Sequence, residues 1–480
     1  MNKAKRLCAI TCLAVVATWL TPVQAQPSAA QTAVEAAKQY SGSTINVVWP
    51  AGVGALGQKI FAAPLFEQLT GVKVNIVEAP PTDVYIKVVA EHRAGTGGFD
   101  VVSLVPSWLT DLSIAGIIEP LDALVDKYGF AAELQGIEPA YRNNWMTHGG
   151  KIMAIPDDGD VLLLFYRKDL FNDPANKEAF KAKYGYELAV PTTWEQFSDI
   201  GWFFTNTYQP DLYGASVIHR SGLMQYFFQE RFRNAGGRFF DLDSMDAQIN
   251  DEIGVKVATQ LQDEAEFMPP GSENWNPVEV LTAWLSGRVA MITWWPPPGR
   301  WSEGYGTDNE ALKWVPESQI KGKVGYALSP GGNPELALGW SLAVSSNSRN
   351  KELAYLYIQW VNSEEISLQR VQLPYSLRDP FRASHFESAE YRSRWENADE
   401  YLDVLRQGAQ IGMLDLSIRN TFQYEEALAR AMQRLMAGED PQEVMDEAAA
   451  DWDKVTRRTG VDKQRAAYEE WAAKPNAYPQ

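Results

Sequence analysis

Cysteine is nearly absent from this chain: there are two in 480 residues. Both, Cys8 and Cys12, lie near the start, so everything after residue 12 is without a thiol. That excludes a disulfide framework, a zinc–thiolate centre and a cysteine nucleophile from the body of the protein. Histidine is also scarce. His92, His148, His219 and His385 show no metal-ligand spacing. No G-x-S-x-G elbow and no Walker A sequence is present. Cations are in deficit, with 43 Lys and Arg against 61 Asp and Glu and a net charge of −18. Such a balance argues against nucleic acid and against anionic lipid as partners. Long hydrophobic runs are missing too. The longest, Leu7–Leu20, has 14 residues and is interrupted by Thr and Cys, too short for a comfortable membrane span.

That run does fit an export signal. Lys3, Lys5 and Arg6 precede it and Val23-Gln24-Ala25 follows as an A-x-A-like cleavage site. We expect a signal peptide over 1–25, a mature start at Gln26, and export by the general route, since no twin-Arg pair is present. Neither cysteine stands at the cleavage site, so no lipid anchor is expected. Three of the cations and none of the carboxylates leave with the signal, so the mature chain would carry −21. The expected location is the periplasm.

What remains is ordinary globular protein, 45% apolar and 22% charged. Its length calls for two or three lobes rather than one core. Trp (17) and Tyr (20) are abundant enough to raise the prospect of an aromatic-lined ligand site. Residues 26–43 are small and polar and read as a flexible segment with at most a loose helix. From there the pattern is α/β. Strands are expected at Ile45–Trp49, Val72–Ile76, Phe99–Val105, Val161–Tyr166 and Val289–Trp294, separated by helical periodicities. The Leu56–Leu69 helix ends at Gly71, Thr192 and Glu195 form a capping box, and Gly287 closes the helix that starts near Pro277. The last hundred residues are helical. Alternation of this kind predicts parallel-type sheets covered by helices on both faces, with ligands beyond the C-terminal ends of the strands. Trp49 and Trp108 stand at two such ends.

Three stretches carry chemistry. Gly52-Val53-Gly54-Ala55-Leu56-Gly57 matches G-x-G-x-x-G, with Glu78 near the end of the next strand, which is the dinucleotide pattern. Trp49-Pro50-Ala51 intervenes where that fingerprint needs a tight turn, so a glycine turn lining some other ligand is the competing reading. Asp157-Asp158-Gly159-Asp160 places three carboxylates in four residues. This could be a fragment of a calcium loop, one carboxylate of a glycosidase pair, a solvated turn, or acceptors for adjacent sugar hydroxyls. Trp294-Trp295-Pro296-Pro297-Pro298 reads as a stiff polyproline segment displaying indole rings, which lose little entropy when a pyranose face stacks on them; core filling is the plainer alternative. Trp275 and Trp340 could extend the same wall.

The chain resembles the carbohydrate-type extracellular solute-binding proteins of ABC importers, the class that includes maltodextrin-binding proteins. The resemblance is carried by Ala63-Pro64-Leu65-Phe66-Glu67 to Val74, Phe99–Val102, Ile155-Pro156 through Leu163–Phe171, Leu285–Met291, and Gly339–Val344 with Ser348–Leu353. The Trp-Trp-Pro-Pro-Pro stretch and the long helical C-terminus depart from the usual pattern. The resemblance implies two α/β lobes with a ligand cleft between them, one lobe built from 44–157 and 327–373, the other from 158–326 and 374–480. It implies crossings near Ile155–Asp160, Tyr326–Gly331 and Leu373–Ser376. It implies a sugar-binding carboxylate at Asp160, with Asp158 beside it, aromatic contacts at Trp294, Trp295 and Trp340, and a polar contact at Arg378. Trp49, Gly52, Trp108 and Trp275 complete the expected site. The implied function is capture of a sugar by hinge closure and delivery to membrane permease subunits, by a monomer without cofactor, metal or catalysis. A binder of a polyol or glycerol-phosphate-like solute, a secreted glycoside hydrolase and an exported NAD(P)-dependent oxidoreductase remain the alternatives.

Overall fold

The computed structural model describes residues 27–219 and 222–479. The export segment and its cleavage site lie outside the described residues. Eleven strands are present among the described residues: β1 (Thr44–Pro50), β2 (Lys73–Ala79), β3 (Val101–Leu104), β4 (Thr147–His148), β5 (Lys151–Ile152), β6 (Ile155–Pro156), β7 (Leu163–Arg167), β8 (Tyr213–Ser216), β9 (Val289–Trp294), β10 (Val324–Leu328) and β11 (Ser341–Val344). They form one sheet in the order β2-β1-β3-β11-β6, a second in the order β10-β7-β9-β8, and a small β4-β5 pair.

In the first sheet β1 runs parallel to β2 and β3, with Val47 opposite Ile76 and Val101. β11 enters antiparallel, Leu342 facing Ser103. In the second sheet β9 is parallel to β8 and antiparallel to β7. Both sheets are therefore mixed. The parallel pairs are those joined by helical crossovers; β11 enters the first sheet and β7 the second from segments that cross from the other sheet, and each is antiparallel to both its neighbours. β9 is buried along its whole length, as a continuously apolar strand covered on both faces requires.

The chain passes between the sheets at 157–162, from β6 to β7, and at 329–340, from β10 to β11. It leaves the first sheet's side again after the Glu364–Val371 helix, through 372–382, toward the Ala398–Ile411 helix that packs on β10. The first and third of these segments touch backbone to backbone. Gly159 N donates to Asp379 O at 3.1 Å, and a Cβ on Gly159 would stand 2.0 Å from Pro380 O, a contact that only glycine permits.

Three local expectations change. Residues 29–40 are not a loose lead-in. Ala29–Ala37 is a helix with a Ser28–Gln31 capping box, and its buried alanines allow close approach to the Lys351–Val361 helix. The helix cap near 192 is Thr193, which accepts from Gln196 N at 3.2 Å, while the Gln196 side chain accepts from Thr192 N at 2.8 Å. Pro296–Pro298 is not polyproline II. Pro297 opens a helix to Ser302, because prolines in a first turn forfeit only N–H groups that have no intrahelical partner.

The Thr421–Met436, Pro441–Thr459 and Val461–Ala472 helices build their own core with the Met224–Asn234 and Glu252–Glu264 helices of the second lobe. The Thr421–Met436 helix also reaches the first lobe. Asn420 N donates to Asp111 at 3.2 Å, Thr110 Oγ1 donates to Ser417 O at 3.2 Å, and Phe422 stacks on Tyr85 with centroids 4.5 Å apart. Among the described residues, no helix is long and apolar enough to cross a membrane.

Candidate functional site

A cleft of about 730 Å³ lies between the lobes, at the C-terminal ends of the strands, where open α/β sheets place their ligands. From the first lobe it receives the turn after β1 (Pro50–Gly54), Pro80–Thr82 after β2, and Val105 and Trp108 after β3. From the second it receives Ile218, Gln225 and Tyr226, and Trp294, Trp295 and Pro297 at the end of β9. The crossings supply Asp158, Asp160, Leu338, Trp340, Leu377 and Arg378.

Of the residues singled out from sequence, Gly52, Trp108, Asp158, Asp160, Trp294, Trp295, Trp340 and Arg378 line this cleft. Trp49 and Trp275 do not. Trp49 is fully buried beneath the site. Its Nε1 donates to Gly54 O at 3.0 Å and the Arg378 guanidinium lies 4.7 Å from its ring centroid, so it supports both the glycine turn and the arginine from below. Trp275 packs at the edge of the main core. Trp108, Trp294, Trp295 and Trp340 are only 5–7% exposed, so each shows the cleft a narrow face and is otherwise wall; Trp301 and Trp314 also line it. Trp295 Nε1 donates to Ala337 O at 2.8 Å, and its ring meets Tyr226 and Phe227 edge-on. Trp108 and Trp340 meet edge-to-face at 6.3 Å.

The floor is charged and nearly dry. Asp157 is buried out of the cleft and holds two guanidiniums, accepting from Arg370 Nη1 and Nη2 (2.6 and 3.2 Å) and from Arg378 Nε (2.7 Å). Arg378 Nη1 donates to Asp158 at 2.9 Å, and Asp379 N and Gly159 N also donate to Asp158 Oδ1. Asp160 Oδ2 accepts from Gly339 N at 3.2 Å. Burial raises the Asp158 carboxyl to about 6 and pushes the Asp160 carboxyl well above the usual carboxylate range. Arg378 Nη2 and Gln225 Oε1 are buried with no hydrogen-bond partner among the described residues. Unmet polar atoms cost about 1–3 kcal/mol each, a cost that a hydrogen-bonding ligand would relieve.

Asp158, Asp160 and Asp379 bring carboxylate oxygens within 4.8 Å of one another. Among the described residues they are a carboxylate group that could hold a cation, but guanidinium groups already stand among them, with Arg378 on Asp158 and Arg300 3.7 Å from Asp379. The glycine motif does not form a dinucleotide cradle. Gly52–Ala55 is a 3-10 turn. Glu78, the would-be ribose ligand, instead accepts from Gly52 N (3.1 Å) and Lys59 Nζ (2.7 Å), and the Lys59 bond holds its carboxyl below the usual value.

Sequence reasoning missed the wall supplied by the C-terminal helix, which contributes Phe422, Glu425, Glu426, Ala429 and Arg430. Trp108 Nε1 donates to Glu425 Oε2 at 3.1 Å across 317 residues of sequence, and burial raises the Glu425 carboxyl to about 7. The amphipathic face of that helix was legible; its packing partner was not. Tyr226 and Asp379 were missed for the same reason.

Comparison with known proteins adds the following. The family model described as bacterial extracellular solute-binding protein matches residues 32–367. A probable amino-acid ABC transporter periplasmic-binding protein of Sinorhizobium fredii is 26% identical over 340 residues, which is 68% of this chain and 71% of that protein. A solute-binding protein from Agrobacterium radiobacter K84 in complex with ribitol has the same fold, with a TM-score of 0.70 at 21% identity over 86% of this chain and 99% of that one. Maltose-bound MalE3 of T. maritima gives a TM-score of 0.68 at 22% identity, over 86% and 100% of the two chains.

Proposed function

The chain belongs to the bacterial extracellular solute-binding protein family, and from that premise we propose that it captures a neutral polyhydroxylated solute, a sugar or a polyol, and hands it to the membrane subunits of an ABC importer. The observation that carries this reading is the composition of the cleft. Its walls are indole and other apolar surface, its floor is carboxyl, and the two guanidiniums that line it among the described residues are already paired, Arg378 with Asp157 and Asp158 and Arg430 with Asp451 at 3.5 Å. An anionic solute such as glycerol phosphate would need an unpaired cation, and a nucleotide would need a phosphate cradle. A sugar or polyol offers apolar C–H faces to Trp108, Trp294, Trp295 and Trp340. Its hydroxyls can donate to Asp158, Asp160 and Gln225 Oε1 and accept from Arg378 Nη2. The volume lies within the roughly 300–1,000 Å³ usual for small-ligand sites. One neighbour of the same fold holds ribitol and another holds maltose, so acyclic and cyclic ligands are both candidates.

The role is capture without turnover. The lobes close on the solute about the crossing segments, and the closed form docks on the permease. The expected signal over 1–25 places this step in the periplasm; the native protein would then begin at Gln26, which intact-mass measurement reads directly.

The test is a thermal-shift screen over sugars, polyols, phosphorylated polyols and nucleotides. A solute present at about 100 times its Kd adds about 2.7 kcal/mol of stability. A neutral polyhydroxylated compound should shift the melting curve, change tryptophan fluorescence and be recovered unaltered after long incubation. Stabilisation by NAD(P) or by phosphorylated compounds alone, or steady release of a product, would overturn the reading.

A further inference from the structure

The three crossing segments meet at one point. Asp160 lies on the first, Gly339 on the second and Asp379 on the third, with Gly339 N donating to Asp160 and Asp379 N to Asp158. Around that point four carboxyl groups, those of Asp157, Asp158, Asp160 and Asp379, face three guanidinium groups, those of Arg300, Arg370 and Arg378. The guanidinium donors are spent unevenly. Arg370 gives two to Asp157, and Arg378 gives one each to Asp157 and Asp158. Arg300 donates to Val371 O, Ser376 O and Tyr391 Oη. None donates to Asp160 or to Asp379, and both Asp379 oxygens are buried with no hydrogen-bond donor among the described residues. An ionised carboxylate in that position would carry an uncompensated desolvation cost.

We infer that Asp160 and Asp379 hold one proton in common at this junction, and that Asp379 is a positioning residue which keeps the cleft-facing Asp160 carboxyl uncharged. One proton removes the surplus negative charge and supplies the donor that Asp379 lacks. Two carboxyls at such short range do not both ionise. Burial accordingly raises both, Asp379 to about 7 and Asp160 beyond the ordinary range. Asp158, the third carboxyl of the cluster, is also raised by burial, to about 6, but its charged form is held by Arg378 Nη1 and two backbone N–H groups, so it is the weaker claimant for the proton. The remaining titratable groups that face the pair do not compete for it. Tyr141, Tyr391 and Tyr401 are all raised by burial and remain neutral phenols, as does Tyr226 on the second lobe's helix. Glu335, on the second crossing, is paired with Arg233. A neutral acid at Asp160 can both donate to and accept from hydroxyls; that consequence rests on the proposed sugar or polyol ligand, whereas the shared proton does not.

The test therefore uses the ligand-free full chain. Infrared difference spectra between wild type and Asp379→Asn at about pH 6 should show loss of one protonated-carboxyl carbonyl band. Asp160→Asn should lose the same band, and the double variant no more than either single one, because one proton serves two groups. The melting temperature of wild type should fall as pH rises from about 6 to about 8.5; that slope should flatten in Asp379→Asn. If one variant fails to fold, the other together with the wild-type titration still decides the matter. The inference is overturned if neither substitution removes a protonated-carboxyl band. It is also overturned if calcium alone abolishes the band and raises the melting temperature, which would make the junction a cation site, or if the two bands are lost additively.

Discussion

Replacing Asp157 by Asn should unfasten the floor of the cleft without altering its lining. Asp157 is fully buried and accepts three guanidinium hydrogen bonds, two from Arg370 and one from Arg378. Asparagine has nearly the same shape but only one accepting oxygen, and its NH₂ would point at a cation. At least one of the two arginines must then lose its partner inside the protein. Charge-assisted bonds contribute about 1.5–3 kcal/mol each, and removing one member of a buried ion pair costs about 3–5 kcal/mol. We expect a loss of about 3–5 kcal/mol, read as a lower urea midpoint by tryptophan fluorescence with an unchanged slope. Arg378, held over Trp49 and against Asp158, would also lose its fixed position. Affinity for the cognate solute per folded molecule should therefore fall as well, even though Asp157 does not touch the cleft. A destabilisation below about 1 kcal/mol, the level of an exposed pair, would refute the claim that this network is a dry, mutually dependent unit.

The remaining expectations follow from neighbouring features. Asp160→Asn exchanges a neutral acid for a neutral amide and should weaken binding of a hydroxyl-rich ligand about two- to tenfold in titration calorimetry, the worth of one neutral hydrogen bond of about 0.5–1.5 kcal/mol, with a wild-type value arguing that this carboxyl is not a ligand contact. Trp295→Ala should cost about 3–5 kcal/mol of apo stability, since its ring and its Ala337 bond serve the core as well as the wall; a variant that melts like wild type but no longer binds would make it a pure stacking platform. Gly159→Ala should separate the first and third crossings, because its Cβ would overlap Pro380 O, and should cost about 1–3 kcal/mol or more in the same urea assay. Stability should rise on acidification from about pH 8 to about pH 5. Burial holds Asp158 near 6, Asp379 and Glu425 near 7 and Glu230 near 8. Over that window the folded protein keeps protons that the unfolded chain, with carboxyls near 4, has released. A melting temperature that instead climbs steadily from pH 5 to 8 would contradict these assignments.

Some of this molecule was determined by short stretches of sequence. The α/β alternation, the β9 strand from Val289 to Trp294 and the Gly71 cap each depend on residues within a dozen positions of one another. Hydrophobic periodicity and capping chemistry act over that range. Likewise Trp108 could be placed at a strand end from local pattern alone, and strand ends are where such sheets bind.

Tertiary structure decided which way each such residue serves. Trp49 and Trp108 carry the same sequence signal, yet one is sealed beneath Arg378 and the other faces the cleft with Glu425 on its indole nitrogen. The triple proline became a helical first turn, with Pro296 at helical φ and ψ and its carbonyl accepting from Gly299 N and, from the distant Ala398–Ile411 helix, from Tyr401 Oη at 3.1 Å. Asp379 looked like any acidic residue after an arginine; it acquired meaning only where three crossings converge on Asp160 and leave one carboxyl more than the guanidiniums can pair. Desolvation and Coulomb interactions depend on distance in space, so a cluster assembled from segments more than two hundred residues apart leaves no mark in the local pattern of any one of them.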